Sequence, residues 1–258
     1  MLLKLLRRSF DQNNAAVASL NVPLFKQKEE ESNSQVEEYL PELVYGGIDG
    51  IVTTFAVVAG AAGAQLGVTV IIILGLSNLI ADGLSMSIGA YLAKRSEIDN
   101  YQKHLRRQEK KVAEEPLLAY TQLASIYQDK GFSGKDLLLI VEKIISKPKL
   151  LIHTLMVYRH ELLPETKSAF KAGLFTFIAF VIAGFIPLAA FLFGRPDMQI
   201  SAFSLSILCS GVAFMIIGWF KHLLTKAGLL KSVLETLVLG ITAAVVAYYI
   251  GYWVEGLI

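Results

Sequence analysis

The chain has 258 residues, 54% hydrophobic and 18% charged, with a mean hydropathy of +0.52 and a formal net charge of +2. Soluble domains average about 45–50% apolar and about 25% charged residues. The apolar excess here lies in long runs, which argues against a soluble globular fold, and a charge of +2 gives no reason to expect a nucleic-acid partner. The single cysteine, Cys209, sits in an apolar run, which excludes an intrachain disulfide and argues for a packed hydrophobe rather than a metal ligand.

Residues 1–40 read as a polar cytosolic leader. Its first ten residues, MLLKLLRRSF, are too short an apolar stretch for a secretory signal. They fit a short basic amphipathic segment on the inner leaflet and a disordered tail equally well. The acidic run Glu29-Glu30-Glu31 reads as solvated.

A helix needs roughly 20 apolar residues to cross about 30 Å of hydrocarbon. Five stretches meet that length: Val44 to Leu66, Val68 to Ala93, Ala172 to Phe193, Ile200 to Phe220 and Thr236 to Val254. The last three carry no charge, the first contains Asp49 and the second contains Asp82. Between spans two and three, Lys94 to Lys171 holds fifteen of the 24 Lys and Arg residues. Five more lie in the leader and three after span four, leaving only Arg195 for the opposite side. The positive-inside rule then predicts a cytosolic N-terminus and a C-terminus on the other side, as five spans require. Within the charged interval, Arg95 to Glu115 should continue span two as a helix. Pro116, Lys130-Gly131 and Pro148 punctuate further helices at Leu117 to Asp129, Leu137 to Ile145 and Leu150 to Leu162. The expected fold is an all-α polytopic membrane protein with five transmembrane helices and a small cytosolic helical domain inserted between helices two and three. Its parts are the leader (1–40), a transmembrane hairpin (41–94), the inserted domain (95–167) and helices three to five (168–258).

Ionisable residues inside spans are costly and mark function by default. If spans one and two turn near Gln65 to Gly67, Asp49 and Met86 are equidistant from the turn and fall side by side. Asn78, Asp82 and Met86 recur at i, i+4, i+8 on span two, and Glu42, Asp49 and Thr53 share a stripe on span one. Carboxylates suit hard divalent ions, and a thioether shifts preference towards softer first-row metals. Two readings fit this cluster: an ion pathway, or interhelical hydrogen bonding between helices made close by Gly46, Gly47, Gly50 and Gly83.

The stretches YGGIDGIVTTFAVVAGAAGA (Tyr45 to Ala64) and ADGLSMSIGAYLAKRSE (Ala81 to Glu97) resemble the two signature helices of the vacuolar iron transporter family. TFIAFVIAGFIPL (Thr176 to Leu188), with its Gly184/Pro187 pair, is similar to the family's third helix, and the segment from Glu235 to its last. The resemblance runs from about Leu40 to Val254. It implies a homodimer exporting Fe²⁺, often also Mn²⁺, from the cytosol to the lumen or exterior in exchange for protons. It further implies that Asp49 and Met86 are pathway ligands and Glu42 an entrance acid; in a metal exporter Asp82 would then serve with Glu42 as an entrance ligand or proton acceptor. The metal ion is then a transported substrate and no cofactor is permanently bound. The plasma membrane and the vacuolar membrane are both open as locations.

The interval before span three departs from the family pattern. Glu109 and Glu161 keep two acidic metal positions, but Arg106, Leu117 and Tyr120 stand where others are expected and Val157-Tyr158 replaces a Met pair. Fifteen basic residues against ten acidic ones make the interval a poor collector of cations. His153, Met156 and His160 recur on one helix face, as substitute ligands or as ordinary residues. The expected function is divalent metal transport. The alternative is a non-transporting membrane protein whose altered domain binds a partner or regulates metal homeostasis. No phosphate loop, nucleophile elbow or ferroxidase-type His–carboxylate set supports an enzyme.

Overall fold

A computed structural model describes residues 38–193 and 199–257, all helical apart from short connections. The leader readings at residues 1–37 and the loop around Arg195 lie outside the described residues. In chain order the helices are α1 (Leu40–Gly63), α2 (Val68–Glu114), α3 (Pro116–Asp129), α4 (Gly134–Ile145), α5 (Pro148–His160), α6 (Ala169–Phe193), α7 (Gln199–Thr225) and α8 (Leu229–Glu255). Five of them, α1, α2, α6, α7 and α8, are long and apolar enough to cross a membrane. The all-α, five-span architecture is therefore present.

Helix boundaries follow local chemistry. Pro41, Pro116 and Pro148 lie in first turns, where a missing N–H costs nothing because that donor has no intrahelical partner. Gln65 turns the chain between α1 and α2 with a φ of 52°, and the N–H of Leu66 donates back to the carbonyl of Ala61 (3.0 Å). Spans one and two thus close as a hairpin over a connection of four residues. The second span does continue into the charged interval: α2 is one helix of 47 residues, about 70 Å long at 1.5 Å per residue.

The chain divides into two compact units. In the first, residues 96–166, the end of α2 and helices α3 to α5 enclose a core of Val112, Leu123, Val141, Ile144, Leu151 and Leu155. Leu137, Val141 and Ile144 recur at i, i+4, i+7, which is why one face of α4 is buried while Leu138 and Leu139 are exposed.

The second unit holds the spans. Their outer faces carry large exposed apolar side chains such as Ile73, Leu84, Leu208, Ile216, Val238 and Ile241, the surface a lipid solvent requires. Inside, α1 is the hub, packing against α6, α8 and α7. The contacts are made through glycine. A β-carbon on Gly46 would come within 2.7 Å of the Thr176 carbonyl oxygen, and one on Gly50 would overlap the Phe180 backbone. At the far end a β-carbon on Gly63 would overlap the Tyr248 backbone, and one on Gly251 the Gly60 carbonyl. Backbone therefore lies on backbone on two sides of α1, the small-residue packing that membrane helices use in place of a hydrophobic driving force. Helix α2 meets α6 differently: Gly173 of α6 faces the Ser87 carbonyl, while Gly75 and Gly83 of α2 face the side chains of Leu188, Phe177 and Phe180.

Some polar groups within the spans bridge neighbouring helices. Ser206 Oγ donates to the Pro187 carbonyl (2.8 Å), bridging α7 to α6 beside the proline that α6 carries within its length. Thr236 Oγ1 lies 3.2 Å from the Phe214 carbonyl, bridging α8 to α7.

The glycine contacts set a clear expectation. Gly50→Ala should destabilise the folded protein by roughly 1–3 kcal/mol through overpacking. Gly211→Ala, where an added β-carbon meets nothing within 4 Å, should not destabilise it. Melting temperatures of the two purified variants in one detergent check this.

Candidate functional site

Three helices build a cleft of about 460 Å³ in the membrane unit. Helix α1 contributes Pro41, Glu42, Tyr45 and Gly46, helix α2 contributes Ser85, Met86, Gly89 and Ala90, and Thr176 of α6 also lines it. Glycine at position 46 brings α6 close enough for Thr176 to reach the cleft wall. Thr176 itself donates to the Ala172 carbonyl of its own helix (2.9 Å).

Glu42 is the acidic group of the cleft. It lies in the first turn of α1, where the helix dipole favours a negative charge. Its side chain is only 14% exposed, and Oε1 sits 3.6 Å from Lys167 Nζ. Oε2 is buried with no hydrogen-bond partner. A buried carboxylate oxygen without a donor costs desolvation energy that a bound cation would recover.

Asp49 and Asp82 are both half-buried, and their carboxylates lie within electrostatic reach of one another. Asn78 Nδ2 donates to Asp82 Oδ2 at 2.8 Å, one helical turn away on α2. Thr53 Oγ1 donates to the Asp49 backbone carbonyl at 2.8 Å, so that hydroxyl's proton is used within its own helix.

The chain turns at Gln65, within the stretch from Gln65 to Gly67 where the turn was expected. Asp82 is the α2 carboxylate paired in electrostatic reach with Asp49, while Met86 lines the cleft beside Glu42, Tyr45 and Gly46. Lys167 and Tyr45 were not foreseen as neighbours of the site; a lysine where the chain re-enters the apolar region was the available signal for the first.

Glu109 and Glu161 fall in the other unit and are exposed. Glu161 closes α5 in the left-handed region with φ 55°. Next to them in sequence, His160 Nε2 and Gln108 Oε1 are hydrogen bonded at 3.0 Å, and the His160 ring lies 5.6 Å from that of His104. His153 is exposed whereas Met156 is fully buried, so the His153–Met156–His160 face is not assembled as a ligand set. Among the described residues no group of three or more His, Cys, Asp or Glu side chains is placed to hold a metal ion.

A larger cavity of about 1490 Å³ lies between α1 and α8, with Lys221, Lys231 and Glu235 its charged lining residues. The rest of its lining is aliphatic but for Tyr45, Thr236 and Thr242. It lacks the buried acid and the thioether of the smaller cleft.

A five-span helical membrane protein with intramembrane carboxylates, and a thioether facing a buried acid, has the make-up of an ion-handling protein. The sequence model of the VIT family matches residues 40–252, and the chain belongs to that family. It is 32% identical over 232 residues to a vacuolar iron transporter of Toxoplasma gondii, an alignment covering 87% of this chain and 76% of that protein. It is 27% identical to vacuolar iron transporter 1 of Eucalyptus grandis, covering 84% of this chain and 87% of the relative. With vacuolar iron transporter 1 of Arabidopsis thaliana it shares 27% identity, covering 82% and 84%.

The histidine cluster gives a pH prediction. Burial lowers the His160 pKa from the ordinary histidine value, and the positive charges of His104, Lys111 and Arg159 lower it further. The unfolded chain then binds the proton more readily, so stability should fall as pH drops through about 6.5 and level off below the folded-state value. In chelator-treated protein, His160→Asn should flatten that part of the melting-temperature profile.

Proposed function

We propose that this chain carries a divalent transition metal, Fe²⁺ foremost and Mn²⁺ with it, from the cytosol across the membrane between α1 and α2. The observation that carries the reading is the buried, unpartnered Glu42 oxygen in a cleft that also holds Met86. The Asp49–Asp82 pair lies further along the same two helices. Glu42 receives the ion, Met86 supplies a soft ligand, and Asp49 is the carboxylate that carries it through. Carboxylate with thioether favours a first-row metal over Mg²⁺ or Ca²⁺. Two aspartates in mutual reach supply charge for a divalent ion, and without one they repel, which suits proton return on the same pathway. The family membership and the names of the relatives support iron as substrate and a vacuolar membrane as the site of action.

The lysine and arginine distribution supports a cytosolic unit at 96–166, a cytosolic N-terminus and a C-terminus opposite. In this reading two copies form the working transporter. The basic unit, with Glu109 and Glu161 as its retained acids, adds at most weak ion capture. That same unit favours one second reading, a non-transporting regulator, since no three-ligand group is assembled in it among the described residues.

Fe²⁺ uptake into proteoliposomes separates the two. Asp49→Ala should lower the rate by about 100-fold or more, the scale of losing about 3 kcal/mol of ion stabilisation, while the protein still inserts and purifies normally. Unchanged flux in that variant would overturn the transport reading. Met86→Ala should lower Fe²⁺ flux more than Mn²⁺ flux, because the softer ion loses more with the thioether.

A further inference from the structure

Lys167 is placed as no ordinary surface lysine is. Its ammonium lies 3.6 Å from Glu42 Oε1, and only 26% of its side chain is exposed. Its backbone is pinned by the next residue: the Ser168 N–H donates to the Tyr39 hydroxyl at 2.9 Å. Tyr39 is itself held, 1% exposed and stacked on Phe175 with ring centroids 5.0 Å apart. The same ammonium stands 5.7 Å from the centre of the Tyr39 ring, within cation–π range. One tethered cation therefore lies beside both a carboxylate oxygen and an aromatic face.

We propose that Lys167 is a specificity-determining residue for ion entry: its ammonium is the resident cation of Glu42, which an incoming divalent ion must displace. The inference rests on the transport reading above and adds to it a competitor built into the chain. A tethered amine faces its carboxylate at a high effective concentration, which free monovalent ions cannot match. A divalent ion carries twice the charge and also gains the unpartnered Oε2, so it wins the exchange. The displaced ammonium moves to the Tyr39 ring and is not left bare. Lys167 thus raises the concentration of metal needed to fill the entrance and keeps Na⁺ and K⁺ out of it.

The test compares Fe²⁺ uptake by the full-length protein with Lys167→Met, Lys167→Arg, Glu42→Gln and the Glu42→Gln/Lys167→Met pair. Lys167→Met should lower the half-saturating Fe²⁺ concentration by about threefold or more and make uptake sensitive to added K⁺. Lys167→Arg should keep the wild-type values, and in the Glu42→Gln background Lys167→Met should change neither. An unchanged half-saturation in Lys167→Met, or the same fall in the Glu42→Gln background, overturns the proposal. A lower melting temperature with reduced maximal rate and unchanged half-saturation would make the lysine a strut only, and overturns it too. Normal flux in Asp49→Ala would defeat the transport reading instead. The Lys167 question is then decided by equilibrium Mn²⁺ binding followed by electron paramagnetic resonance, where the same gain in affinity is expected.

Discussion

The membrane unit depends on the close approach of α1 to its neighbours. Gly46 and Gly50 lie against the backbone of α6, and Gly60 and Gly63 against that of α8. In lipid there is little hydrophobic gain from bringing helices together, so van der Waals contact between backbones carries the association. Residues 46 to 50 thereby serve two ends at once. Gly46 and Gly50 hold the helix in place, and Asp49 between them is committed to a fixed position relative to α6.

The cleft follows from that arrangement. With α1 drawn onto α6, Thr176 reaches the cleft wall, and α2 closes the other side with Met86 and small residues. Glu42 sits in a first turn that stabilises its charge, yet it is buried enough to leave one oxygen without a donor. Lys167 pairs with one oxygen of Glu42, and the other is left for an incoming ion to engage. Among the described residues the 96–166 unit shows no comparable orphaned buried oxygen, and its buried Gln108 is hydrogen bonded to His160.

Much of this was legible in the residues. The five spans could be read because length and apolarity leave few alternatives in a bilayer, and Pro116 and Pro148 marked helix starts that hydropathy could not. Glu42, Asp49, Asp82 and Met86 stood out because charge and thioether within or beside an apolar run need a reason. The hairpin turn was legible near Gln65 to Gly67, but the residue at which α1 ends was not, since Ala64 and Gln65 look as helical as the residues before them. Only the left-handed conformation of Gln65 shows where α1 stops. Contacts between distant parts of the chain were also hidden: Lys167 with Glu42, and Ser168 with Tyr39, join the starts of α1 and α6, and no periodicity links them. The His153–Met156–His160 face stayed open between two readings because a helical repeat cannot say which side of a small helix is turned inward.

The contrast between the two kinds of contact made by α6 has a mechanical meaning. Sliding α1 along α6 would bring residues that carry β-carbons against the Thr176 and Phe180 backbone, so this contact resists displacement. Between α2 and α6 the Gly173–Ser87 approach is made by backbone, whereas Gly75 and Gly83 meet flexible side chains such as Leu188 and Phe177. A tilt of α2 about that point costs rotamer changes rather than backbone overlap. Ser87 adjoins Met86, so the fulcrum of the more yielding joint lies beside the thioether.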